Sequence, residues 1–247
     1  MRLTILIPAY NEKGNLEELT LRFLKVLSKL KINYKFLYII EGDDGCYESM
    51  LNLQKEKKIN NLKMLYSKEK LGIGNAYRKG LANLPADTDY ILTIDGDLNH
   101  LPEDFPRFLS KLKEGDYGLI IGSRKVKGAS VENYNPIKKI LSGSINQLLI
   151  KMLGLKVKDL TSGYRMIKKN VFVEIIPKIK SKNHEFYSEF IILTNREGYS
   201  MAEVPINFKL RKHGKSSLLW FGSSVGYTKL ILKSLLSSKR VKNQGRN

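Results

Sequence analysis

Two carboxylates, one residue apart, follow an apolar run in the segment YILTIDGDLNHLPED, residues 90–104. In a continuing strand, Asp95 and Asp97 would point to the same side, where their charges repel unless a cation lies between them. Oxygen ligands suit Mg²⁺ or Mn²⁺, and Asn99 could supply a third oxygen. Gly96 would let the backbone bend and a ligand come close. The segment is a candidate metal site, although an isolated D-x-D pattern is also typical of a solvated turn.

Polar residues stand at the ends of three other apolar runs in the first half of the chain. In an open, mostly parallel sheet, ligands bind beyond the carboxyl ends of the strands. Several carboxylates and one arginine close together at such an edge indicate a binding site. The residues concerned are Asn11 and Glu12, Asp43 and Asp44, and Ser123 and Arg124.

The elements that must position these residues alternate between strand and helix patterns. Short apolar runs predict strands, and apolar residues at helical spacing predict the helices between them. This alternation predicts an α/β fold with a mostly parallel central sheet and helices on both faces. We expect strands near 3–10, 36–40, 62–66, 90–94 and 117–122, and helices near 15–30, 47–57, 73–84 and from Pro102.

The second half of the chain is less regular. We expect helices near 137–153 and 184–197, a turn around 159–165 and a strand-like segment at 201–208. From residue 218 the chain has helical spacing, with apolar residues on one side and lysines on the other. A basic, acid-free amphipathic helix suits a membrane surface. Packing of this helix on the domain is the alternative.

The positive charge of the chain is large and unevenly distributed. The 247 residues carry a formal net charge of +19 at pH 7. Residues 124–169 hold 11 basic and 2 acidic residues, and residues 211–247 hold 9 basic and no acidic residues, so each segment nets +9. Segregated charge indicates a surface for an anionic partner, either nucleic acid or anionic lipid. A general lysine bias is the alternative.

Length and composition restrict the class of protein. The chain is long enough for one large domain, and its single cysteine, Cys46, excludes an intrachain disulfide. The N-terminal apolar run is too short for a signal peptide. No stretch approaches the roughly 18 apolar residues of a membrane span, so we expect no transmembrane segment.

The motifs of this chain resemble, in order and spacing, those of a known enzyme family. They read PAYNE (8–12), GDDGC (42–46), GIGNAYRKG (72–80), DGDLNHLPE (95–103), GSR (122–124), KKILSGS (138–144), DLTSGYR (159–165) and EVPINFKLRKHGKSS (203–217). The set resembles the inverting family-two glycosyltransferases of the GT-A fold, and more narrowly the dolichyl-phosphate mannose synthase branch. Departures include Cys46 for serine, Asn99 for glutamine, and Lys138 and Lys139 for arginine.

The resemblance implies roles for the matching residues. Asp95, Asp97 and Asn99 would hold Mg²⁺ or Mn²⁺ on the donor diphosphate, and Asp97, Arg124 and Arg211 would be catalytic. The nucleotide sugar would contact Pro8, Tyr10, Glu12, Asp43, Asp44, Asp95, Gly96, Arg211 and Ser217. The acceptor phosphate would contact Arg124, Lys138, Lys139 and Ser142.

The implied reaction transfers a hexose, with inversion, from a nucleotide sugar to dolichyl or polyprenyl phosphate. GDP-mannose is the first expectation for the donor and UDP-glucose the second. An ionised lipid phosphate needs no general base, so no histidine is expected to be essential. The enzyme would lie peripherally on the anionic cytoplasmic face of the cell membrane. A catalytic domain at 1–218, with nucleotide-binding (1–122) and acceptor-binding (123–218) halves, would precede a basic tail at 219–247.

Two other functions remain open from the sequence. A glycosyltransferase of the same fold could use a sugar hydroxyl of a glycan or cell-surface polymer as acceptor, with Glu185 or Glu189 as its base. A nucleic-acid-binding protein is the remote alternative, because its support is charge alone and the sequence has no zinc pattern or RNA-binding aromatic motif. We therefore expect no nucleic-acid partner.

Overall fold

The computed structural model describes residues 1–132, 147 and 150–209. The predictions for Lys138, Lys139, Ser142, Arg211, Ser217 and the basic tail 219–247 lie outside the described residues. The strands of the described part are β1 (Arg2–Tyr10), β2 (Asn33–Glu41), β3 (Leu62–Ser67), β4 (Tyr90–Thr93), β5 (Leu119–Ser123), β6 (Ser130–Val131), β7 (Arg165–Lys168), β8 (Met201–Pro205) and β9 (Asn207–Phe208).

The helices follow the predicted alternation closely in the first half. Short 3₁₀ turns at Pro102–Asp104 and Ile176–Lys178 accompany them. In the ranges that the structure describes, no helix is long and apolar enough to cross a membrane. The helices are α1 (Asn15–Leu27), α2 (Cys46–Glu56), α3 (Ile73–Ala82), α4 (Phe105–Leu112), α5 (Lys169–Ile175) and α6 (Glu185–Arg196).

Seven of the described strands form one sheet in the order β3-β2-β1-β4-β7-β5-β8. Neighbouring strands are parallel except at β7, which runs antiparallel to both β4 and β5. The carboxyl ends of β1, β2, β4 and β5 therefore lie along one edge of the sheet, and β7 begins at that same edge. The prediction of a mostly parallel α/β sheet is confirmed.

Helices cover both faces of the sheet because its strands are apolar on both sides. On one face, α1 buries Leu16, Leu19, Phe23 and Leu27, whose three- and four-residue spacing forms a single apolar stripe. On the other face, α3, α5 and α6 pack on the alternate residues of the same strands. The rigid sheet between these two cores fixes the edge at which the polar residues meet.

The structure corrects the expected bounds at two places. Strand β4 ends at Thr93, so Asp95 and Asp97 lie in the following turn and not in a continuing strand. The segment 201–208 forms two strands, β8 and β9. The physical reason for the break is that β5, the partner of β8, ends at Ser123 opposite Pro205, and β9 then pairs with β6.

Strand β7 was not predicted by the sequence pattern, and neither were helix α5 and the two-residue strand β6. The four residues of β7, RMIK, begin with Arg165, which is only 1% exposed. Arginine is rarely buried in this way, so the pattern of the segment resembles a turn more than an interior strand. The expected turn at 159–165 is present, and it delivers β7 between β4 and β5.

Candidate active site

The turns after β1 and β2 are joined by Asn11. Its side-chain oxygen accepts the backbone N–H of Asp43 at 3.1 Å, and its own N–H donates to the Glu41 carbonyl at 3.1 Å. A Cβ on Gly42 would lie 1.8 Å from that side-chain oxygen, and Gly42 has φ +102°. Glycine is therefore required where the two turns meet.

The two aspartates of the GDDG turn have different surroundings. The Asp44 carboxylate accepts the backbone N–H groups of Lys13 at 2.9 Å and Cys46 at 3.0 Å, which ties the PAYNE turn to the start of α2. Asp43 is exposed and pairs with Lys68 at 2.7 Å. Asp44 thus has a structural role in these contacts, and Asp43 is the more accessible of the two predicted nucleotide contacts.

The remaining predicted nucleotide residues of the first motif lie around the end of β1. Tyr10 is 36% exposed, and the Lys70 ammonium lies 4.4 Å from the centre of its ring. Glu12 is buried and accepts a hydrogen bond from the Asn15 side chain at 2.8 Å. The Pro8 carbonyl accepts the N–H of Gly96 at 3.3 Å, which joins β1 to the D-G-D turn.

A buried carboxylate holds the loop before α3 against this edge. Glu41 is 4% exposed, and its Oε2 accepts the N–H groups of Leu71 at 3.0 Å and Gly72 at 3.4 Å. Burial raises the pKa of Glu41, and these two hydrogen bonds oppose that rise. The loop that Glu41 anchors carries Lys68 and Lys70, which contact two of the predicted nucleotide residues.

Asp97 and Asn99 form a compact pair in the turn after β4. The Asp97 carboxylate accepts the Asn99 backbone N–H at 3.1 Å and its side-chain Nδ2 at 2.7 Å. Leu98 between them has φ 58°, a left-handed conformation that brings the two side chains together. The Oδ1 atom of Asn99 is buried and has no hydrogen-bond partner among the described residues.

Gly96 has a packing role that the sequence did not predict. A Cβ at this position would lie 3.0 Å from the Ala9 Cβ and 3.3 Å from Leu16. The turn therefore packs directly on β1 and α1, and any side chain here would push Asp95 and Asp97 away from the sheet. The prediction that Gly96 contacts the nucleotide sugar stays untested.

The Asp95 carboxylate is contacted by residues outside the D-G-D turn. The Tyr187 hydroxyl on α6 donates to its Oδ1 at 2.5 Å, and His100 Nδ1 lies 3.8 Å from its Oδ2. Gly163, just before β7, packs on the carboxylate so closely that a Cβ there would lie 2.5 Å from Oδ2. Two segments distant in sequence, α6 and the residues before β7, thus contact this one side chain together with the nearby His100.

We expect Gly163→Ala to lower transfer activity by about 10²-fold, because the added methyl group must displace the Asp95 carboxylate, and misplacement of a reacting group by about 1 Å has a cost of that order. Steady-state transfer assays would measure the loss. Gly115→Ala is the control, since its nearest neighbour is the Tyr117 ring at 3.2 Å. Equal activity of both variants would contradict the close contact at Gly163.

The oxygen atoms of this turn fit a hard divalent cation. The turn supplies two carboxylates and, on Asn99, an amide oxygen that is buried and has no hydrogen-bond partner among the described residues, and Mg²⁺ and Mn²⁺ prefer such oxygen ligands. The side chain of Asp95 is 28% exposed, so a ligand can reach it. Among the described residues, no group of three His, Cys, Asp or Glu side chains could hold a metal by itself. Such an ion would need further oxygen ligands.

Arg124, which directly follows β5, is bound by the carboxylate of Asp159. Its Nε and Nη2 atoms donate to the two oxygens of Asp159 at 2.8 Å each, and Nη2 also donates to the Thr161 hydroxyl at 2.7 Å. Burial opposes ionisation of Asp159, but the charge and hydrogen bonds of Arg124 outweigh it and hold the Asp159 pKa below its usual range. The Arg124 side chain remains 19% exposed, with its guanidinium over the Phe208 ring at 5.1 Å.

His100 lies between the acidic and basic parts of the site. It is 3% exposed, and neither ring nitrogen has a hydrogen-bond partner among the described residues. Burial lowers the pKa of His100 to about 4, with a further contribution from the charge of Arg124. The ring packs on Tyr164 and Phe208. It is therefore neutral near pH 7.

The sequence model of glycosyl transferase family 2 matches residues 4–176 of this chain. The chain belongs to this family. The match covers the turns that carry Asn11, Asp44, Asp95 and Asp97, together with Arg124 and Asp159. The expectation that this protein is an enzyme, a glycosyltransferase, is confirmed.

Two relatives of this family-two glycosyltransferase are known as lipid-phosphate mannosyltransferases. The chain is 30% identical over 222 residues to the undecaprenyl-phosphate mannosyltransferase of Micrococcus luteus, and the match covers 88% of each chain. It is also 30% identical over 220 residues to the dolichol-phosphate mannosyltransferase of Pyrococcus furiosus, covering 88% of this chain and 59% of that one. The branch of the family that the motifs indicate is confirmed.

A solved structure has the same fold. The glucosyl-3-phosphoglycerate synthase of Mycobacterium tuberculosis, crystallised with Mg²⁺ and uridine diphosphate, superimposes with a TM-score of 0.67. The match covers 95% of this chain and 78% of that one at 16% identity. At that identity the likeness concerns the fold alone, and it confirms the GT-A expectation.

The glycosyltransferase site contains residues that sequence reasoning did not select. Tyr187 contacts Asp95, and Arg165 in turn contacts Tyr187. The only sequence signal for Arg165 was its place in DLTSGYR. Arg165 is completely enclosed; its Nε and Nη2 donate to the carbonyls of Ser162 at 2.7 Å, Leu160 at 3.3 Å and Tyr187 at 2.8 Å. Burial lowers the pKa of Arg165, although an arginine remains protonated.

Proposed function

We propose that this glycosyltransferase moves a hexose from a nucleotide sugar to a polyprenyl phosphate. The observation that carries the proposal is the match, over 88% of both chains, to an undecaprenyl-phosphate mannosyltransferase. The mannosyltransferase names of the relatives favour mannose over glucose. GDP-mannose is the donor we propose first and UDP-glucose second. The proposed reaction inverts the anomeric carbon.

The donor would bind along the carboxyl ends of β1, β2 and β4. Tyr10 and Asp43 are the accessible side chains there for the nucleoside, and Asn11, Glu12 and Asp44 hold the turns that present them. Asp95, Asp97 and Asn99 would take Mg²⁺ or Mn²⁺ together with the diphosphate oxygens. That cation would offset the negative charge that develops on the departing diphosphate.

The acceptor phosphate would lie on the Arg124 side of the site. Asp159 fixes the plane of the Arg124 guanidinium, and a fixed guanidinium suits a phosphate better than a flexible cation. Lys138, Lys139 and Ser142 remain predictions for the same phosphate, and Arg211 and Ser217 remain predictions for the donor. Lys209, two residues before Arg211 in sequence, donates its N–H to the Asn99 carbonyl at 2.9 Å.

The chemistry that this arrangement requires is a displacement at the anomeric carbon. An oxygen of the acceptor phosphate forms a bond to that carbon from the face opposite the leaving group. The bond to the diphosphate oxygen breaks, and the nucleoside diphosphate departs with the electron pair. A phosphate monoester is ionised at pH 7 because its second pKa is about 6. No side chain has to remove a proton, and positioning and charge stabilisation suffice.

A polyprenyl phosphate acceptor also explains the charge pattern of the chain. The two segments that net +9 each include the proposed acceptor residues and the C-terminal tail. Basic segments bind the anionic lipids of the cytoplasmic membrane surface, with about 1 kcal/mol for each lysine or arginine near that surface. We propose a peripheral association with this surface.

A lipid-extraction assay tests the proposal directly. The protein is incubated with Mg²⁺ or Mn²⁺, a polyprenyl phosphate and one radiolabelled sugar nucleotide at a time, and the lipid is then extracted into organic solvent. Label in the lipid phase from GDP-mannose, and none with a chelator present, is the expected result. Failure with every donor, by a protein that still binds nucleoside diphosphate, would contradict the lipid phosphate as acceptor.

If the acceptor were a sugar hydroxyl, Glu185 could act as the general base, and its substitution would then lower the transfer rate. This residue is buried, and its Oε2 has no hydrogen-bond partner among the described residues. Glu189 is instead bound to the backbone, since its Oε2 accepts the N–H groups of Lys180 at 3.1 Å and Ser181 at 2.8 Å. We expect Glu185→Gln to retain most of the transfer activity.

A loss of about 10²–10⁴-fold in Glu185→Gln, the usual contribution of a general base, would favour the sugar hydroxyl. Glu174→Gln is the control, because Glu174 lies on α5, the helix before α6, and pairs with Lys178 in the 3₁₀ turn that follows. Both variants would be assayed for transfer at saturating donor and acceptor.

A further inference from the structure

The contact between Tyr187 and Asp95 joins helix α6 to the acidic turn. The Tyr187 hydroxyl donates to Asp95 Oδ1 at 2.5 Å, although the two residues are 92 positions apart. Tyr187 is 3% exposed, so this hydrogen bond is shielded from solvent.

Arg165 and the neighbouring rings hold Tyr187 in place. The Arg165 Nη2 donates to the Tyr187 carbonyl at 2.8 Å, and the guanidinium lies 5.1 Å from the centre of its ring. Tyr77 on α3 and Phe186 pack edge-on against the same ring at 6.3 Å and 5.8 Å. Because these contacts fix the Tyr187 ring, its hydroxyl has one position. That position is set by the protein and not by a bound ligand.

We propose that Tyr187 is a positioning residue for the divalent cation of the donor site, acting through Asp95. A carboxylate that receives a fixed hydrogen bond on Oδ1 cannot rotate freely, so it presents Oδ2 in a constant direction. Gly163 packs closely on the same group, since a Cβ there would lie 2.5 Å from Oδ2 and 2.8 Å from Oδ1. Hydrogen-bonded partners of this kind orient metal ligands and change metal affinity. The inference rests on the proposed function, because it needs a cation at Asp95.

Tyr187→Phe tests this role because it removes only the hydroxyl and keeps the packed ring. Tyr199→Phe is a matched control, since the Tyr199 hydroxyl also donates to a carboxylate at 2.5 Å, that of Glu174. Tyr199 lies two residues before β8, whose amino end is at the sheet edge opposite the acidic turn. Both variants lose one hydroxyl–carboxylate hydrogen bond, and only one of those bonds involves the proposed cation site.

The measurement is Mn²⁺ binding by electron paramagnetic resonance, in the presence of GDP and without acceptor. We expect Tyr187→Phe to raise the Kd for Mn²⁺ about tenfold or more, the usual effect of removing a partner of a metal ligand. Tyr199→Phe should bind Mn²⁺ as the wild type does. In transfer assays, the Mn²⁺ concentration for half-maximal activity should rise for Tyr187→Phe, while turnover at saturating Mn²⁺ recovers.

Three outcomes would overturn the inference, and they can be told apart. Equal Mn²⁺ affinity of Tyr187→Phe and the wild type would remove the positioning role and leave the proposed function intact. Absence of Mn²⁺ binding by the wild type with GDP would remove the metal part of the proposed function as well. If circular dichroism shows that Tyr187→Phe is unfolded while Tyr199→Phe is folded, the Tyr187 hydroxyl is needed for folding and not for positioning the cation.

Discussion

Asp97→Asn is expected to lower the rate of sugar transfer about 10³-fold, equivalent to about 4 kcal/mol in the activation free energy. The variant removes one negative charge from a turn in which Asp95 and Asp97 are the proposed ligands of the cation. The side chain is 91% buried (9% exposed), so water cannot easily replace the lost charge. Asn99, whose N–H and Nδ2 contact Asp97, can rotate its amide to suit the new side chain, so we expect the fold to survive.

The rate loss would be measured in the lipid-extraction assay at saturating donor. Asp87→Asn is the control, because Asp87 forms an exposed ion pair with Lys35 and lies on a different loop. A chelator should reduce the wild type to the level of Asp97→Asn, and it should affect Asp97→Asn little further. Transfer by Asp97→Asn at the wild-type rate, or wild-type transfer that a chelator leaves unchanged, would contradict a cation held by this turn.

The acidic turn itself was predictable because it depends on local pattern and on one rule of topology. Alternating strands and helices give parallel strands, and parallel strands end at one edge. Asp95 follows an apolar run directly, and Asp43 and Arg124 each come three residues after the last apolar residue of one, so their common edge could be predicted before any contact was known. The buried runs were long and regular enough that their bounds were close to the observed ones.

The residues that orient the site could not be predicted in the same way. Tyr187 reaches Asp95 only because β7 enters the sheet antiparallel and brings α6 to the carboxyl edge. That insertion depends on a buried arginine, which single-sequence patterns place on the surface. Gly96 and Gly163 likewise pack on distant atoms, and a glycine in sequence does not indicate what lies beside it.

The pair of Arg124 and Asp159 shows how two interpretations of one residue can both be consistent with its position. The resemblance assigned Arg124 to the acceptor phosphate, and an ion pair with a neighbouring carboxylate is the simpler structural interpretation. The structure has the ion pair, with Asp159 completely buried and the Arg124 side chain 19% exposed. Because the pair also fixes the guanidinium at the edge of the site, loss of Asp159 should affect both stability and acceptor binding.

Asp159→Asn is expected to lower the free energy of unfolding by about 3 kcal/mol near neutral pH, because it leaves a largely buried guanidinium without its counter-charge. The pKa of Asp159 is lowered in the folded state, so its stabilising contribution is complete above the unfolded-state pKa of about 3.9. This contribution is lost as the pH falls through the lower folded-state pKa. Urea unfolding at several pH values should therefore give a constant difference above about pH 5 and a smaller one below about pH 4.

Asp89→Asn is a matched control for burial. Arg2 donates to Asp89 with its backbone N–H, Nε and Nη2, the same three groups with which Arg124 binds Asp159. The Asp89 side chain is 34% exposed and the Arg2 side chain 53% exposed, so water can replace the lost bonds and the effect should be much smaller. If both variants lost equal stability, burial would not be the cause. An unchanged KM for polyprenyl phosphate in Asp159→Asn would separate the ion pair from acceptor binding and leave Arg124 with a structural role alone.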